Sequence, residues 1–345
     1  MKIGLIDVDG HHFPNLALMK ISAWHKARGD EVEWCLPLQH YDTVYQSKVF
    51  DDTYSPDIDW IPDADAIIKG GTGYFKRGKD CRGYIYTFGK WWDIGNASTY
   101  SIANETYNEF LPCEVEHAYP DYSLYQKEEV YEDEESGETF TRTVGLTADT
   151  AYGFLTRGCP RHCDFCIVGD KEGLRSIKVA DLSEFWQGQK NIVLLDPNIL
   201  ACKDRMELLD QLIESKALVD FSQGLDIRLT NDAVAEKLSR IRVKRLHFAW
   251  DNPDQDLTPY FERFTKAYSR KSSSGKVVYV LTNFNSTMEQ NLYRIYTLRD
   301  LGYDPYVMVF DKPHAPREIR DLQRWVNSKF IFRKCNRFED YKKEG

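Results

Sequence analysis

Apolar and polar positions at the start of the chain switch between two periods. "KIGLIDVD" is a compact apolar run ending in acids, which predicts a buried strand, and "NLALMKISAWHKARG" repeats its apolar residues at helical spacing and closes on Gly29. "EVEWC" then resumes as a strand, so the chain opens with a strand-helix-strand unit. A further strand, "ADAIIKGG", runs straight into Gly70, Gly71 and Gly73. Ligands of open parallel sheets bind at such carboxyl ends. "GGTGY" nevertheless lacks the spaced glycines of a dinucleotide fingerprint, and a tight turn explains it equally well.

Over residues 126 to 147 the pattern turns acidic, with two short strand-like runs about a "SGE" turn, and a solvated hairpin or linker is expected there. Beyond it the rhythm is regular. Strand candidates "YGFLTRG", "NIVLLDP", "VDFSQGLDIRL", "VKRLHFAWD", "KVVYVLTNF" and "DPYVMVFD" alternate with helical segments near 179 to 188, 203 to 216, 231 to 241, 258 to 270, 287 to 301 and 316 to 328. Six strand-helix units are too few for a closed eight-unit barrel. The expected fold is therefore α/β: a Rossmann-like open parallel sheet over residues 1–147, a partial (β/α)6 TIM-like barrel over 148–329, and a short aromatic and basic tail over 330–345 that packs across one end of the barrel. The length of 345 residues agrees with two domains, since single cores stop growing at roughly 250–300 residues.

Composition narrows the function. Lys and Arg total 45 against 54 Asp and Glu, a net charge of -9, which argues against a protein that coats nucleic acid through its overall field. "MKIGLIDVDG" turns acidic too soon for a signal peptide and no stretch approaches 18 apolar residues, so a cytoplasmic chain with no membrane partner is expected. Eight cysteines at irregular spacing do not form a secreted disulfide framework, and reduced thiols able to bind metal are expected.

Three of them crowd one loop. "GFLTRGCPRHCDFCIV" places Cys159, Cys163 and Cys166 at C-x3-C-x2-C spacing after the first barrel strand. Three thiolates leave one iron of a four-iron cluster without a protein ligand, and the carboxyl end of a barrel strand is where barrel enzymes keep their active sites. Zinc, with His162 as a fourth ligand, and an electron-transfer cluster completed by Cys202 are the alternatives.

This spacing, with Phe165 just before the last cysteine, resembles the signature of the radical S-adenosylmethionine (SAM) superfamily, and the six-unit count resembles its catalytic domain. The resemblance implies a site-differentiated 4Fe-4S cluster on Cys159, Cys163 and Cys166, with SAM bound through its amino and carboxylate groups to the open iron and its adenine against Phe165. It implies reductive cleavage of SAM to methionine and a 5'-deoxyadenosyl radical, and a flavodoxin- or ferredoxin-like electron donor. Asp196 and Asn198 stand by position where the family holds the SAM amino group, although the family's glycine pair is absent. Gln223, Asp226 and Arg228 suit ribose hydroxyls or a carboxylate, and an Arg–Asp pair closing the rim is the alternative. Trp250, Asp251, Asn283 and Asn285 fall at the next two strand ends, with Ser286 or Thr287 as a helix cap.

A strand-helix domain ahead of such a barrel resembles the subgroup that carries cobalamin between its two domains. The subgroup's motif Asp-x-His-x-x-Gly is met only as Asp9, Gly10, His11, His12, Phe13 and Pro14, without the final glycine. The expected function is a radical SAM enzyme acting on an unidentified substrate. The alternatives are a cobalamin-dependent radical SAM methyltransferase and a non-catalytic iron-sulfur or zinc protein.

Overall fold

The computed structural model describes residues 1–10, 12–74, 84–87, 90–93, 100–102, 105–107, 112–132, 139–270 and 275–343. The "SGE" turn, His11, Cys81 and the segments between the other ranges lie outside them. Two compact units divide the chain, Met1–Ile192 and Val193–Gly345.

Unit 1 opens with β1 (Lys2–Asp7), α1 (Leu16–Ala27), β2 (Glu31–Trp34), β3 (Tyr41–Ser47) and β4 (Ala64–Gly70), followed by β5 (Tyr84–Thr87) and β6 (Lys90–Asp93). Their order in the sheet is β2-β1-β3-β4-β5-β6. The pairs β1–β2, β1–β3 and β3–β4 are parallel, whereas β4–β5 and β5–β6 are antiparallel. Alternation along β1 sends Ile3 and Leu5 to Leu18 and Ile21 of α1, and Ile6 to a second cluster with Tyr41, Val44 and Ile67. Asn15 starts α1, its Oδ1 accepting the Leu18 N–H at 3.3 Å, and Gly29, in the left-handed region at φ +83°, ends it. β3, "YDTVYQS", had no strong apolar signal yet occupies the middle of the sheet.

Two short antiparallel pairs follow in unit 1. β7 (Tyr100–Ile102) pairs with β8 (Glu105–Tyr107) and, after α2 (Cys113–Glu116), β9 (Gln126–Glu132) pairs with β10 (Thr139–Gly145) over the expected acidic hairpin. The segment expected as one strand, "YGFLTRG", is divided into β11 (Thr150–Gly153) and β12 (Thr156–Arg157). After α3 (Val168–Glu172), β13 (Ile177–Lys178) pairs antiparallel with β12. The helix expected near 179–188 is only a single turn at Leu182–Glu184, capped by Asp181 and Glu184. The Phe185 ring is packed so close to Gly153 that a β-carbon there would stand 2.3 Å from it, and this ties the segment to β11. β14 (Asn191–Leu194) follows β11 in strand order, and its first half closes unit 1.

Unit 2 takes over within β14 and alternates α4 (Arg205–Ser215), β15 (Leu218–Phe221), α5 (Asp232–Arg240), β16 (Val243–Ala249), α6 (Thr258–Ala267), β17 (Lys276–Thr282), α7 (Met288–Asp300), β18 (Asp304–Val309) and α8 (Arg317–Asn327). Strand order follows chain order, β14-β15-β16-β17-β18, and the pairs from β15 onward are parallel. The described residues are thus mixed α/β with parallel sheets, and among them no barrel closes. Phe248 and Trp250 project from the β16 side onto α6, where they meet Phe261, and Tyr303 completes the aromatic core. The tail folds as α9 (Lys329–Lys334) and α10 (Phe338–Lys343). It packs on the helices of unit 2: Trp325 of α8 meets Phe332 and Phe338, and its Nε1 donates to the Cys335 carbonyl at 3.0 Å.

Trp325 is fully enclosed by these contacts. Truncation in Trp325→Ala should cost about 3–5 kcal/mol and lower the urea midpoint, and an unchanged midpoint would show that the tail is not anchored there.

Candidate functional site

The cysteine loop is fixed at both ends. β12 stops at Arg157, and Gly158 turns the chain at φ +80°, where a β-carbon would stand only 2.1 Å from the Arg175 carbonyl oxygen. Only glycine fits that position. The Glu172 carboxylate, at the end of α3, accepts the Gly158 N–H at 3.1 Å and the Arg157 guanidinium at 3.0 Å. Within the loop the Cys159 N–H donates to the Gly173 carbonyl at 3.2 Å, and the Cys166 N–H to the Cys163 carbonyl at 2.8 Å. Cys159, Cys163, Phe165 and Cys166 are all half-buried.

A chain of buried charges continues from this staple. Arg157 lies 3.5 Å from Glu116 at the end of α2, and Glu116 is 3.3 Å from Lys20 of α1. Burial alone would raise the Glu116 carboxyl, but Arg157 and Lys20 beside it hold it below the usual range. Burial lowers Lys20, and Glu116 works against that shift.

His162, the fourth ligand in the zinc alternative, has an exposed side chain whose Nε2 lies 3.5 Å from Asp170, with the ring against Gly169. Among the described residues no group of three or more His, Cys, Asp or Glu side chains could hold a single metal ion. The three cysteines stand on one loop whose ends are held by Gly158 and Glu172. Cys202, in unit 2, is enclosed, its thiol contacts Asp204 at 4.0 Å, and burial pushes its pKa up.

The carboxyl ends of the unit 2 strands form a polar rim. Asp196 and Asn198 follow β14 and are both buried, Asn198 preceding a single turn at Ile199–Ala201. The strand expected over "VDFSQGLDIRL" ends at Phe221, because Gly224 turns the chain at φ +93° and Asp226 caps a turn at Ile227–Leu229. Gln223 is exposed on this turn. Asp226 grips Arg228 with both oxygens, at 2.7 Å from Nε and 3.1 Å from Nη2, and Arg228 Nη1 donates to Gln255 at 2.8 Å. The structure therefore brings Asp226 and Arg228 together as a two-bonded ion pair.

Trp250 points into the helical layer, where it packs on Phe261 and Tyr293. Asp251 accepts the Leu281 N–H at 3.3 Å, and burial pushes its carboxyl up to about 6. Asn283 and Asn285 adopt left-handed backbone at φ +61° and +48°, and Thr287 caps α7 with Gln290. Arg294, which the sequence pattern did not single out, is fully buried on α7. Its guanidinium donates to the carbonyls of Trp250 at 2.6 Å, Asp251 at 3.1 Å and Leu281 at 3.0 Å, and to Asn291 Oδ1 at 2.6 Å, so it fixes the ends of β16 and β17 together.

In unit 1 the glycine loop after β4 packs against protein. A β-carbon on Gly71 would stand 2.4 Å from the Lys48 carbonyl oxygen, and one on Gly73 2.2 Å from that of Phe50. Asp9 of the incomplete Asp-x-His motif accepts the Val49 N–H at 2.6 Å and the Phe50 N–H at 3.3 Å.

No family model matches the chain, and no curated protein matches it. Among solved structures it is similar to a radical S-adenosylmethionine methyltransferase, TsrM, from Kitasatospora setae, with cobalamin and a 4Fe-4S cluster bound. The identity is 12%, the TM-score is 0.58, and the match covers 89% of this chain and 74% of that one. The likeness is one of fold. Among the described residues no helix is long and apolar enough to cross a membrane.

Asp251 supplies a pH test that needs no ligand. Its folded pKa lies above the ordinary 3.8, so the folded state holds the proton more tightly and the associated stability, present below pH 4, is lost as the pH rises toward 6. Asp251→Asn should flatten the stability profile between those values, by about 3 kcal/mol, and an unaltered profile would place the titration elsewhere.

Proposed function

We propose that the protein is a radical SAM enzyme, built as a Rossmann-like sheet over residues 1–147 and a partial barrel over 148–329. The observation that carries this reading is the set of three cysteines on one loop whose backbone is pinned by Gly158 and Glu172. Cys159, Cys163 and Cys166 hold the 4Fe-4S cluster, and Phe165 takes the adenine of SAM. When bound, the cluster supplies the electron that splits SAM into methionine and a 5'-deoxyadenosyl radical.

The residues of the chain hold and orient. Glu172 and Arg157 keep the loop in register, and Glu116 and Lys20 balance their charge away from water. Asp196 and Asn198 take the amino group of SAM, and Gln223, Asp226 and Arg228 take its ribose or carboxylate. Because Asp226 already satisfies much of the Arg228 guanidinium, Arg228 acts there mainly through its remaining donors. A flavodoxin- or ferredoxin-like protein delivers the electron, and the substrate is a molecule whose modification begins with hydrogen abstraction.

Cobalamin-dependent methyl transfer is the second reading, favoured by the cobalamin in the TsrM structure. Weighing against it, the Asp9 carboxylate is engaged by backbone N–H groups and Pro14 stands where the motif has glycine.

Anaerobic reconstitution with iron and sulfide, followed by dithionite and SAM, should yield 5'-deoxyadenosine from the wild type and none above background from Cys163→Ala. Equal yields from both proteins, or none from a fully loaded wild type given substrate-rich extract, would contradict the proposal.

A further inference from the structure

The aromatic and basic end of the chain takes no part in the proposed cluster site. From Lys312 to Arg337 it carries eight Lys and Arg residues against two acids, Glu318 and Asp321, in a protein where acids outnumber bases 54 to 45. All eight cations are exposed. On α8, Arg317, Arg320 and Arg324 stand three and four residues apart and so share one stripe. The opposite stripe, Ile319, Leu322, Trp325 and Val326, is buried. α9 follows after Ser328 with Phe332 turned inward onto Trp325, and the exposed Lys329, Arg333 and Lys334 continue the row of cations beyond α8.

Phe330 lies among these charges. Its ring is 68% exposed, with the Lys334 ammonium 4.3 Å from its centre. The ion pairs on this surface, Lys329–Asp304 at 3.0 Å, Arg317–Asp321 at 3.7 Å and Arg337–Glu339 at 3.5 Å, are open to solvent. Such pairs contribute little, so a phosphate can replace the carboxylate.

Cations around an open aromatic ring are what a single-stranded nucleic acid uses, its phosphates meeting the charges and a base stacking on the ring. A membrane surface would need an apolar helix face to bury, and that face of α8 is already committed to the core. An acidic protein would engage the cations without needing the ring. We propose that α8 and α9 bind single-stranded nucleic acid, with Arg320, Arg324 and Arg333 on its phosphates and Phe330 against a base. The net charge of -9 confines this binding to the local surface, because the rest of the chain repels a polyanion.

The test uses the full-length chain and a fluorescein-labelled oligothymidylate, read by fluorescence anisotropy over a range of salt concentrations. Saturable binding that weakens as salt rises is expected. The double variant Arg320→Gln, Arg324→Gln should reduce the log–log salt slope by about 1.4. Phe330→Ala should weaken binding at least about fivefold, and an abasic strand of the same length should bind the wild type more weakly by a similar factor. All three positions are exposed, so the variants should unfold at the wild-type midpoint. Should the double variant fail to fold, a reduced salt slope in Arg333→Gln carries the same meaning. No saturable binding, or an unchanged slope in folded variants, would overturn the proposal. Equal binding of the abasic strand would also overturn it and point to an acidic protein as the partner. Binding is read without iron or SAM, so its failure and that of SAM cleavage are told apart.

Discussion

The buried ion-pair chain Glu172–Arg157–Glu116–Lys20 is the interaction on which the cysteine loop depends. It joins the segment before the first thiol, the helix after the last one, α2, and the first helix of the chain. Removing one member of a buried pair leaves an uncompensated charge and typically costs about 3–5 kcal/mol, far more than any single hydrogen bond within the loop. The loop itself carries few apolar anchors, so its geometry is set electrostatically from its ends. Gly158 completes the arrangement by letting the Arg175 carbonyl approach where no side chain fits.

Unit 2 solves a similar problem with one side chain. Parallel strands leave their carboxyl-end carbonyls to be satisfied, and Arg294 collects those of Trp250, Asp251 and Leu281 while remaining fully buried. These bonds tie the ends of β16 and β17 to α7. Asp251, next to this cation and still pushed up to about 6, shows that burial there outweighs the attraction of the guanidinium.

Features with local causes were legible in the sequence. β1, α1 and β4 follow from apolar periodicity, and the thiol spacing is chemical in itself. Features with distant causes were not. β3 alternates Tyr, Asp, Thr and Gln, and becomes a central strand through pairing with β1 and β4 on either side. "VDFSQGLDIRL" breaks because Gly224 takes positive φ and Asp226 turns back on Arg228, which strand propensity does not register. Glu172, Arg294 and Lys171 carry no motif, and Lys171 meets its hydroxyl partner 99 positions away. Spacing names the candidate ligands of a centre, while the groups that hold those ligands in place emerge only from tertiary packing.

The proposed function requires a four-iron cluster that the three thiolates leave with one iron open to an outside ligand. The most direct measurement is Mössbauer spectroscopy of the protein reconstituted with iron-57, recorded with and without SAM. SAM should shift the signal of a single iron of a 4Fe-4S cluster toward higher coordination and leave the others unchanged. A cluster whose irons all keep their parameters when SAM is added, or a protein that assembles no four-iron cluster, would contradict it.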